Sequence, residues 1–324
     1  MKVAITGGSG HVGGNLARAL LAEGHEVRAL VREDRRALDG LDLTVVAGDV
    51  LDPASLVRAV EGVEVVYHAA ARISLKHDDP VATRINTEGA RNVVEACLAA
   101  GVRRLVHFSS IHACSPNPPD QPIDEARPLF DDSPLAYDRS KAAGEGEVRA
   151  GIERGLDAVI VIPTAVIGPN DFKPSRMGRL VVDVCKRRLP ATVEGGFNWV
   201  DVRDVAAGAL AAAARGRRGE RYLLGGEYLS LHALACQVAA CCGVRSPWFC
   251  SPSWLAKLGV PFASLYAAMT GKEPLFNAAS VDIVRHHGLV SHEKAARELG
   301  YSPRPLRETI ADTVAWFRER GAIR

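Results

Sequence analysis

No apolar run in the chain approaches the roughly 18 to 20 residues that a membrane-spanning helix requires. None of the ten histidines falls in an H-E-x-x-H or comparable ligand spacing, which argues against a metal site, and His286, His287 and His292 read as surface or capping residues. An excess of one charge is missing too: 40 basic residues stand against 38 acidic ones, for a formal net charge of +2. That balance builds no broad field, and no basic cluster is interleaved with aromatics, so nucleic acid is not an expected partner. The seven cysteines form an odd set without a C-x-x-C pair. Most sit among apolar neighbours, as Cys236, Cys241 and Cys242 do, and the expectation is buried reduced thiols, with neither metal nor disulfide. There is no internal repeat and no low-complexity tract. A strand begins at the N-terminus at once, leaving no room for a signal peptide, so the expected location is the cytoplasm, away from membranes.

At 324 residues and 47% hydrophobic, the chain can bury a large core, and its strongest signal stands at the start. Lys2 to Thr6 (KVAIT) is apolar and of strand length. It feeds directly into Gly7, Gly8, Ser9, Gly10, His11, Val12 and Gly13. Glycines 7, 10 and 13 fit G-x-x-G-x-x-G, while 8, 10 and 13 fit G-x-G-x-x-G, and the pattern does not choose between them. Either way, the turn needs positive φ and bare backbone, so that the first amides of the following helix face a pyrophosphate unobstructed by any Cβ. Val12, Leu16, Ala19 and Leu20 give that helix its stripe, Gly24 stops it, and a second strand, Glu26 to Val31, follows at βαβ distance. A glycine-rich turn alone can be plain connection chemistry. Its place at a strand-to-helix junction makes it a nucleotide-binding signal.

The alternation continues. Thr44 to Ala47 and Val63 to Tyr67 read as strands three and four. Between them Asp52 and Pro53 open a helix with Leu56, Val57 and Val60 as its buried stripe. Asn86 to Ala99 is a helix closed by Gly101, Arg104 to Phe108 a fifth strand, Tyr137 to Arg154 a helix and Asp157 to Ile162 a sixth strand broken by Pro163. An α/β fold with a doubly wound, Rossmann-type parallel sheet follows. Ser115 to Pro134 is a long proline-rich acidic loop of the kind that is often functional. From Gly168 the character changes: a helix over Met177 to Arg188, a strand at Trp199 running into a helix to Ala214, a short strand at Arg221 to Leu224, then mostly helix to an amphipathic end at Leu306 to Arg320. The expected division is a nucleotide-binding domain at 1–170, to which 198–226 partly returns, and a smaller, mostly helical substrate lobe at 171–324.

Tyr137 and Lys141 are four apart, so on a helix they share a face and can serve one site. As a bare pattern Y-x-x-x-K means little. Its company matters: Ser109 and Ser110 end the preceding strand, where the carboxyl ends of parallel strands present ligands to a crevice. T-G-G-S-G-H-V-G at Thr6 to Gly13, G-D-V at Gly48 to Val50, H-A-A-A at His68 to Ala71, F-S-S at Phe108 to Ser110 and Y-D-R-S-K at Tyr137 to Lys141 occur in one characteristic order. P-T-A-V-I-G-P at Pro163 to Pro169, W-V-D-V-R-D-V-A at Trp199 to Ala206 and R-E-L-G-Y at Arg297 to Tyr301 extend it. With these motifs the chain resembles an extended short-chain dehydrogenase/reductase, closest in look to the branch holding dihydroflavonol reductases and 3β-hydroxysteroid dehydrogenases.

The resemblance implies a hydride transfer between a carbonyl and a secondary alcohol. Tyr137 would be the general acid/base, Lys141 would lower its pKa and hold the nicotinamide ribose, and Ser110, in preference to Ser109, would hydrogen-bond the substrate oxygen. Asn86, at the family's N-T/V-x-G position, reads as structural. The dinucleotide would be held by Gly7, Ser9, Gly10, His11, Val12 and Gly13, by Asp49 and Val50, by Ala69, Ala70 and Ala71, and by Pro163 and Val166. An acidic residue about 18 to 20 positions after the turn would bind the ribose 2′-OH of NAD; the position is Val31, with Arg32, Arg35 and Arg36 following. That pattern favours NADP over NAD. Two rivals remain: a nucleotide-sugar epimerase or dehydratase, and a non-catalytic dinucleotide sensor. Against the first stand Val31 and the lack of an arginine in Gly195 to Trp199. Against the second stands the Tyr/Lys pair itself. Trp248, Phe249, Trp254, Phe262 and Tyr266 read as lobe core sooner than as a pocket, and Lys173, Arg176 and Arg179 as a solvated face sooner than as an anion site. The expected partner is a small-molecule carbonyl or alcohol, and a homodimer fits the family.

Overall fold

The computed structural model describes residues 1–252, 254–255 and 289–323. The chain opens as β1 (Lys2–Thr6), α1 (His11–Ala22), β2 (Glu26–Val31), β3 (Thr44–Ala47), α2 (Pro53–Val60), β4 (Val65–His68), α3 (Pro80–Ala99), β5 (Arg104–Phe108), α4 (Ala136–Glu153) and β6 (Ala158–Pro163). It continues as β7 (Ala165–Ile167), α5 (Arg176–Cys185), β8 (Ala191–Val193), β9 (Gly196–Asp201), α6 (Val202–Arg215), β10 (Arg221–Leu224), β11 (Glu227–Ser230), α7 (Leu231–Cys242) and β12 (Phe249–Ser251). Two further helices, α8 (Glu293–Leu299) and α9 (Leu306–Glu319), close the described chain.

Seven strands form one sheet in the order β10-β6-β5-β4-β1-β2-β3, every pairing parallel. Both faces are covered, which is why the strands read as near-continuous apolar runs. Val3 and Ile5 of β1 pack on one side with Leu16 and Leu20 of α1 and with Val205 and Ala209 of α6. Ala4 faces the other side, among Leu56 of α2, Val93 of α3 and Val148 of α4. The sheet is a Rossmann-type doubly wound one. Its strand order reverses at β1, which lies between β2 and β4, and the crevice at the carboxyl ends of β1 and β4 is where such sheets bind ligands. Leu299 and Tyr301 pack into the α1 face. A third cluster joins Leu180 and Val184 of α5, Trp199 of β9, Leu234 and Val238 of α7 and Ile310, Val314 and Phe317 of α9.

The structure departs from the sequence reading in several places. Val57 is 56% exposed, while Ser55, Leu56, Ala59 and Val60 form the buried face of α2. At 100° per residue those four span one arc and Val57 falls past its edge. Helix α3 begins at Pro80, capped by Asp79, whose carboxylate accepts from the Ala82 amide. Its first turns are polar and partly exposed, so apolar periodicity marks only its later half. The segment after β6 is less purely helical than expected. β7 and β11 flank β9 in a three-stranded sheet, and β8 pairs with β12. Strands of three or four residues carry too little alternation to be read, since remote pairing makes them. Cys185 and Cys242 form a disulfide between the ends of α5 and α7, and Cys241 is exposed, against the expectation of buried reduced thiols. Two helix ends brought together in the third cluster leave no trace in cysteine spacing. Trp248 and Trp254 are 82% and 66% exposed and Phe249 is exposed as well, so these three are not core. They lie on or beside β12, an edge strand, and aromatic density says nothing of which face is covered. Phe262, Tyr266, His286 and His287 lie outside the described residues, while His292 immediately precedes α8 and packs on the Tyr301 ring. No helix of the described residues is long and apolar enough to cross a membrane.

Candidate active site

The turn after β1 resolves the two glycine frames. Gly7 has φ +76°, and a Cβ there would lie 2.6 Å from the Ala70 amide nitrogen. One at Gly13 would lie 2.2 Å from the Gly7 carbonyl oxygen. Bare backbone is therefore required at 7 and 13, the outer members of G-x-x-G-x-x-G, and Gly10 between them opens α1 as its cap. Gly10 provides no side-chain cap, and the first turn of α1 carries no acidic residue. α2, α3, α5, α6 and α7 each have an Asp or Ser side chain on an early amide, whereas α4, α8 and α9 are uncapped like α1, so what sets α1 apart is the glycine turn ahead of it. An uncapped helix start behind a tight glycine turn is suited to an anionic pyrophosphate. The residues present therefore fit a dinucleotide.

This turn is locked to the segment after β7. His11 Nε2 lies 3.0 Å from the Pro169 carbonyl oxygen, and Asn15 Nδ2 donates to the same oxygen at 3.1 Å. Asn170, itself at φ 62°, donates to Asn15 Oδ1. The His11 ring is thus engaged by protein, and what it can offer a ligand is its backbone. Val12 and Val166 both pack against the α1-side core, and Ala69 joins them. Ala70 packs against the opposite core, Pro163 is buried and Ala71 is exposed.

At the ends of β2 and β3, Gly48 N donates to the Val31 carbonyl, which sets Arg32 beside Asp49 with Arg32 Nε 3.7 Å from Asp49 Oδ2. Asp49 Oδ1 accepts from the Leu51 amide. Val50 is buried against Gly89, where a Cβ would meet it at 2.7 Å. Arg32 is 72% exposed at its side chain and Arg35 is exposed. Arg36 is engaged differently: its guanidinium makes two hydrogen bonds to Asp34 and holds that carboxyl down at about 2. Of the three arginines, 32 and 35 are not tied to Asp34, and Arg32 lies beside Asp49.

Ser110, Tyr137 and Lys141 come together at the carboxyl end of β5. Ser110 caps a short 3-10 turn, Ile111–Ala113, with its Oγ accepting from the His112 amide at 3.3 Å, and it works to lower the pKa of the Tyr137 phenol. Ser109 points elsewhere and donates to Glu145 Oε2 at 2.9 Å. Tyr137 is 6% exposed, and burial pushes its phenol up to about 12; Ser110 opposes this and the Asp138 carboxylate adds to it. The expected depression by Lys141 is not what the structure shows. Lys141 Nζ donates to the Phe108 carbonyl at 2.6 Å, and burial lowers the amine to about 8 against the pull of Glu145. Desolvation disfavours the charged form of both groups and dominates here. Asn86 is fully engaged: its Oδ1 accepts from Arg72 N, and its Nδ2 donates to Arg72 O and Ser140 Oγ. Lys173 and Arg179 are exposed and Arg176 is half-buried.

Several supports were invisible in sequence. Asp138 accepts from Ser133 Oγ and lies 3.1 Å from His112 Nδ1, and the His112 ring stands edge-on to Tyr137 at 5.4 Å. Glu145, fully buried, receives Ser109, Arg149 and Arg221. Arg221 in turn donates to the carbonyls of Glu125 and Arg127, anchoring the long acidic loop. Asp138 could have been noticed inside Y-D-R-S-K; Arg221 is 76 positions from Glu145 and carried no signal.

A glycine-turn dinucleotide site and a Tyr/Lys pair at the carboxyl edge of one parallel sheet define the extended short-chain dehydrogenase/reductase class. The family model described as "NAD dependent epimerase/dehydratase family" matches residues 3–225. The chain belongs to that family, whose members are NAD(P)-dependent enzymes. It is 38% identical over 330 residues to "Sterol demethylase protein B" of Methylococcus capsulatus, covering 100% of both chains. It is 35% identical to a "Putative dihydroflavonol 4-reductase" of Synechocystis, over 99% of this chain and 95% of that one. The crystal structure of gox2253 superposes with a TM-score of 0.87 at 36% identity, covering 99% of each chain.

Proposed function

We propose that the protein is an NADP-dependent oxidoreductase that interconverts a carbonyl and a secondary alcohol. The observation that carries this is the buried Tyr137 hydroxyl, with Ser110 just after the end of β5 and Lys141 one helical turn along, at the same sheet edge as the glycine turn that opens α1. A bound nicotinamide dinucleotide supplies the hydride. In the reductive direction, Ser110 donates a hydrogen bond to the substrate oxygen, and Tyr137 gives that oxygen its proton as negative charge develops. Lys141, one turn along α4, offers the ribose a donor. The buried phenol is protonated across the neutral range, which suits it to act as the acid.

NADP is favoured over NAD because Val31 occupies the end of β2 and leaves no carboxylate to receive a ribose 2′-OH, while Arg32 and Arg35 can pair with a 2′-phosphate. The substrate is read as largely apolar, as the sterol and the dihydroflavonol in the names of two relatives suggest. Replacing Tyr137 by Phe tests the chemistry. Cofactor binding should persist while turnover falls by about 10² to 10⁴, the usual value of a positioned acid/base. Near-wild-type kcat in Tyr137→Phe would remove Tyr137 from the reaction.

A further inference from the structure

Beneath the reacting face stands a row of buried polar side chains that the chemistry above does not use. Parallel register sets Thr6 of β1 beside His68 of β4, and His68 beside His107 of β5. Thr6 Oγ1 and His68 Nδ1 are 2.6 Å apart, and the two imidazoles pack with centroids 5.2 Å apart. Each histidine is 2% exposed. Yet neither ring nitrogen of His107 has a hydrogen-bond partner among the described residues. The next residue is Phe108, whose carbonyl receives the Lys141 ammonium at 2.6 Å.

Two orphaned ring nitrogens in a sealed interior are unfavourable, and proteins retain such groups where an ordered water or a functional demand answers them. Burial, and then the Lys141 ammonium, which acts on both rings, hold His68 down at about 3 and His107 well below its ordinary value. Both imidazoles are therefore neutral, and a neutral imidazole has one acceptor nitrogen to offer. Tyr137 and Glu145 stand one turn either side of Lys141 on its own helix, and Glu145 is paired to Arg221 of β10 and accepts from Ser109. Among the described residues His107 keeps both ring nitrogens unpartnered, one residue before the carbonyl that receives the ammonium.

We propose that His107 is a positioning residue for Lys141, accepting from its ammonium through one buried water and so keeping it charged and aimed at the dinucleotide ribose. This rests on the reading that Lys141 serves the dinucleotide. A His107 that is merely tolerated in the core predicts the opposite behaviour. Exchanging its unpaired ring for Phe would then raise the melting temperature and leave the site untouched.

The test is the dissociation constant of NADPH and of NADH, read by fluorescence across about pH 6 to 10. It uses wild type, Lys141→Met, His107→Phe and His107→Gln. Wild-type affinity should fall with a midpoint near the Lys141 value of about 8, and Lys141→Met should be flat. His107→Phe should move the midpoint down by about one pH unit, a roughly fivefold loss of affinity at the wild-type midpoint. His107→Gln keeps an acceptor and should restore the midpoint. A wild-type midpoint in His107→Phe, or equal shifts in Phe and Gln, overturns the proposal. Wild-type pH dependence in Lys141→Met overturns the reading of Lys141 itself and the proposal with it, so the two failures are distinct. Should His107→Phe fail to fold, isotope-labelled histidine in the wild-type protein decides: the His107 ring should show magnetisation exchange with a bound water, and its absence overturns the proposal.

Discussion

Tyr137 and Lys141 are one turn apart in the same buried wall, and burial pushes their proton affinities in opposite directions, to about 12 and to about 8. For Lys141 the folded value lies below the unfolded 10.5, so between those two values the unfolded chain binds more protons and stability rises with pH. Relative to Lys141→Met, the wild type should therefore gain stability as pH climbs from about 8 to 10.5, read as the difference between two series of thermal melts. A difference that stays level or falls across that window contradicts the buried-amine picture. The pair itself was legible in the sequence, because helical spacing alone places positions 137 and 141 on one face. Glu145, Arg221, His68 and His107 were not. They meet through strand register and helix packing, and no local pattern encodes which distant residue a buried carboxylate or imidazole will face.

At the level of elements, the glycine turn and α1 were readable for the same reason: every constraint lies within a dozen residues. The turn should be intolerant where backbone approaches backbone. Gly13→Ala sets a methyl against the Gly7 carbonyl, and dinucleotide affinity should fall by roughly tenfold or more, about 1.4 kcal/mol or beyond. Gly24→Ala is the control. Its φ is +75° with open space around it, so it should cost about 1–2 kcal/mol of stability and leave affinity unchanged. Equal effects on affinity would mean that the turn is ordinary connection chemistry. The later elements were read less well. β7, β8, β11 and β12 exist only by pairing with one another and with β9, and α5 and α7 are tied by Cys185 and Cys242. Breaking that tie with Cys242→Ser should lower stability by roughly 2–4 kcal/mol without altering dinucleotide affinity, measured by denaturant unfolding of both proteins without reductant. An unchanged midpoint, with five free thiols replaced by seven in the unreduced wild type, would contradict the bond.

Over the whole molecule, one parallel sheet gathers three things at its carboxyl edge: a pyrophosphate-suited helix start, an arginine-bearing rim at the ends of β2 and β3, and the Ser110, Tyr137 and Lys141 side chains. Motif order made that assembly foreseeable, since alternating strands and helices in a doubly wound sheet bring every strand end to one crevice. The short strands after β6 were not foreseeable, because their pairing is remote. If the rim selects the cofactor, NADPH should bind about 10- to 150-fold more tightly than NADH, and Arg32→Ala should remove much of that margin. Equal affinities in the wild type would sink the NADP assignment. Carbonyl reduction and sugar epimerisation differ in cofactor stoichiometry during turnover, followed at the absorbance of reduced nicotinamide with a panel of apolar ketones and, separately, of UDP- and dTDP-sugars. One NADPH should be consumed for each ketone reduced. Conversion of a nucleotide sugar with no net change in the reduced cofactor would contradict the oxidoreductase reading.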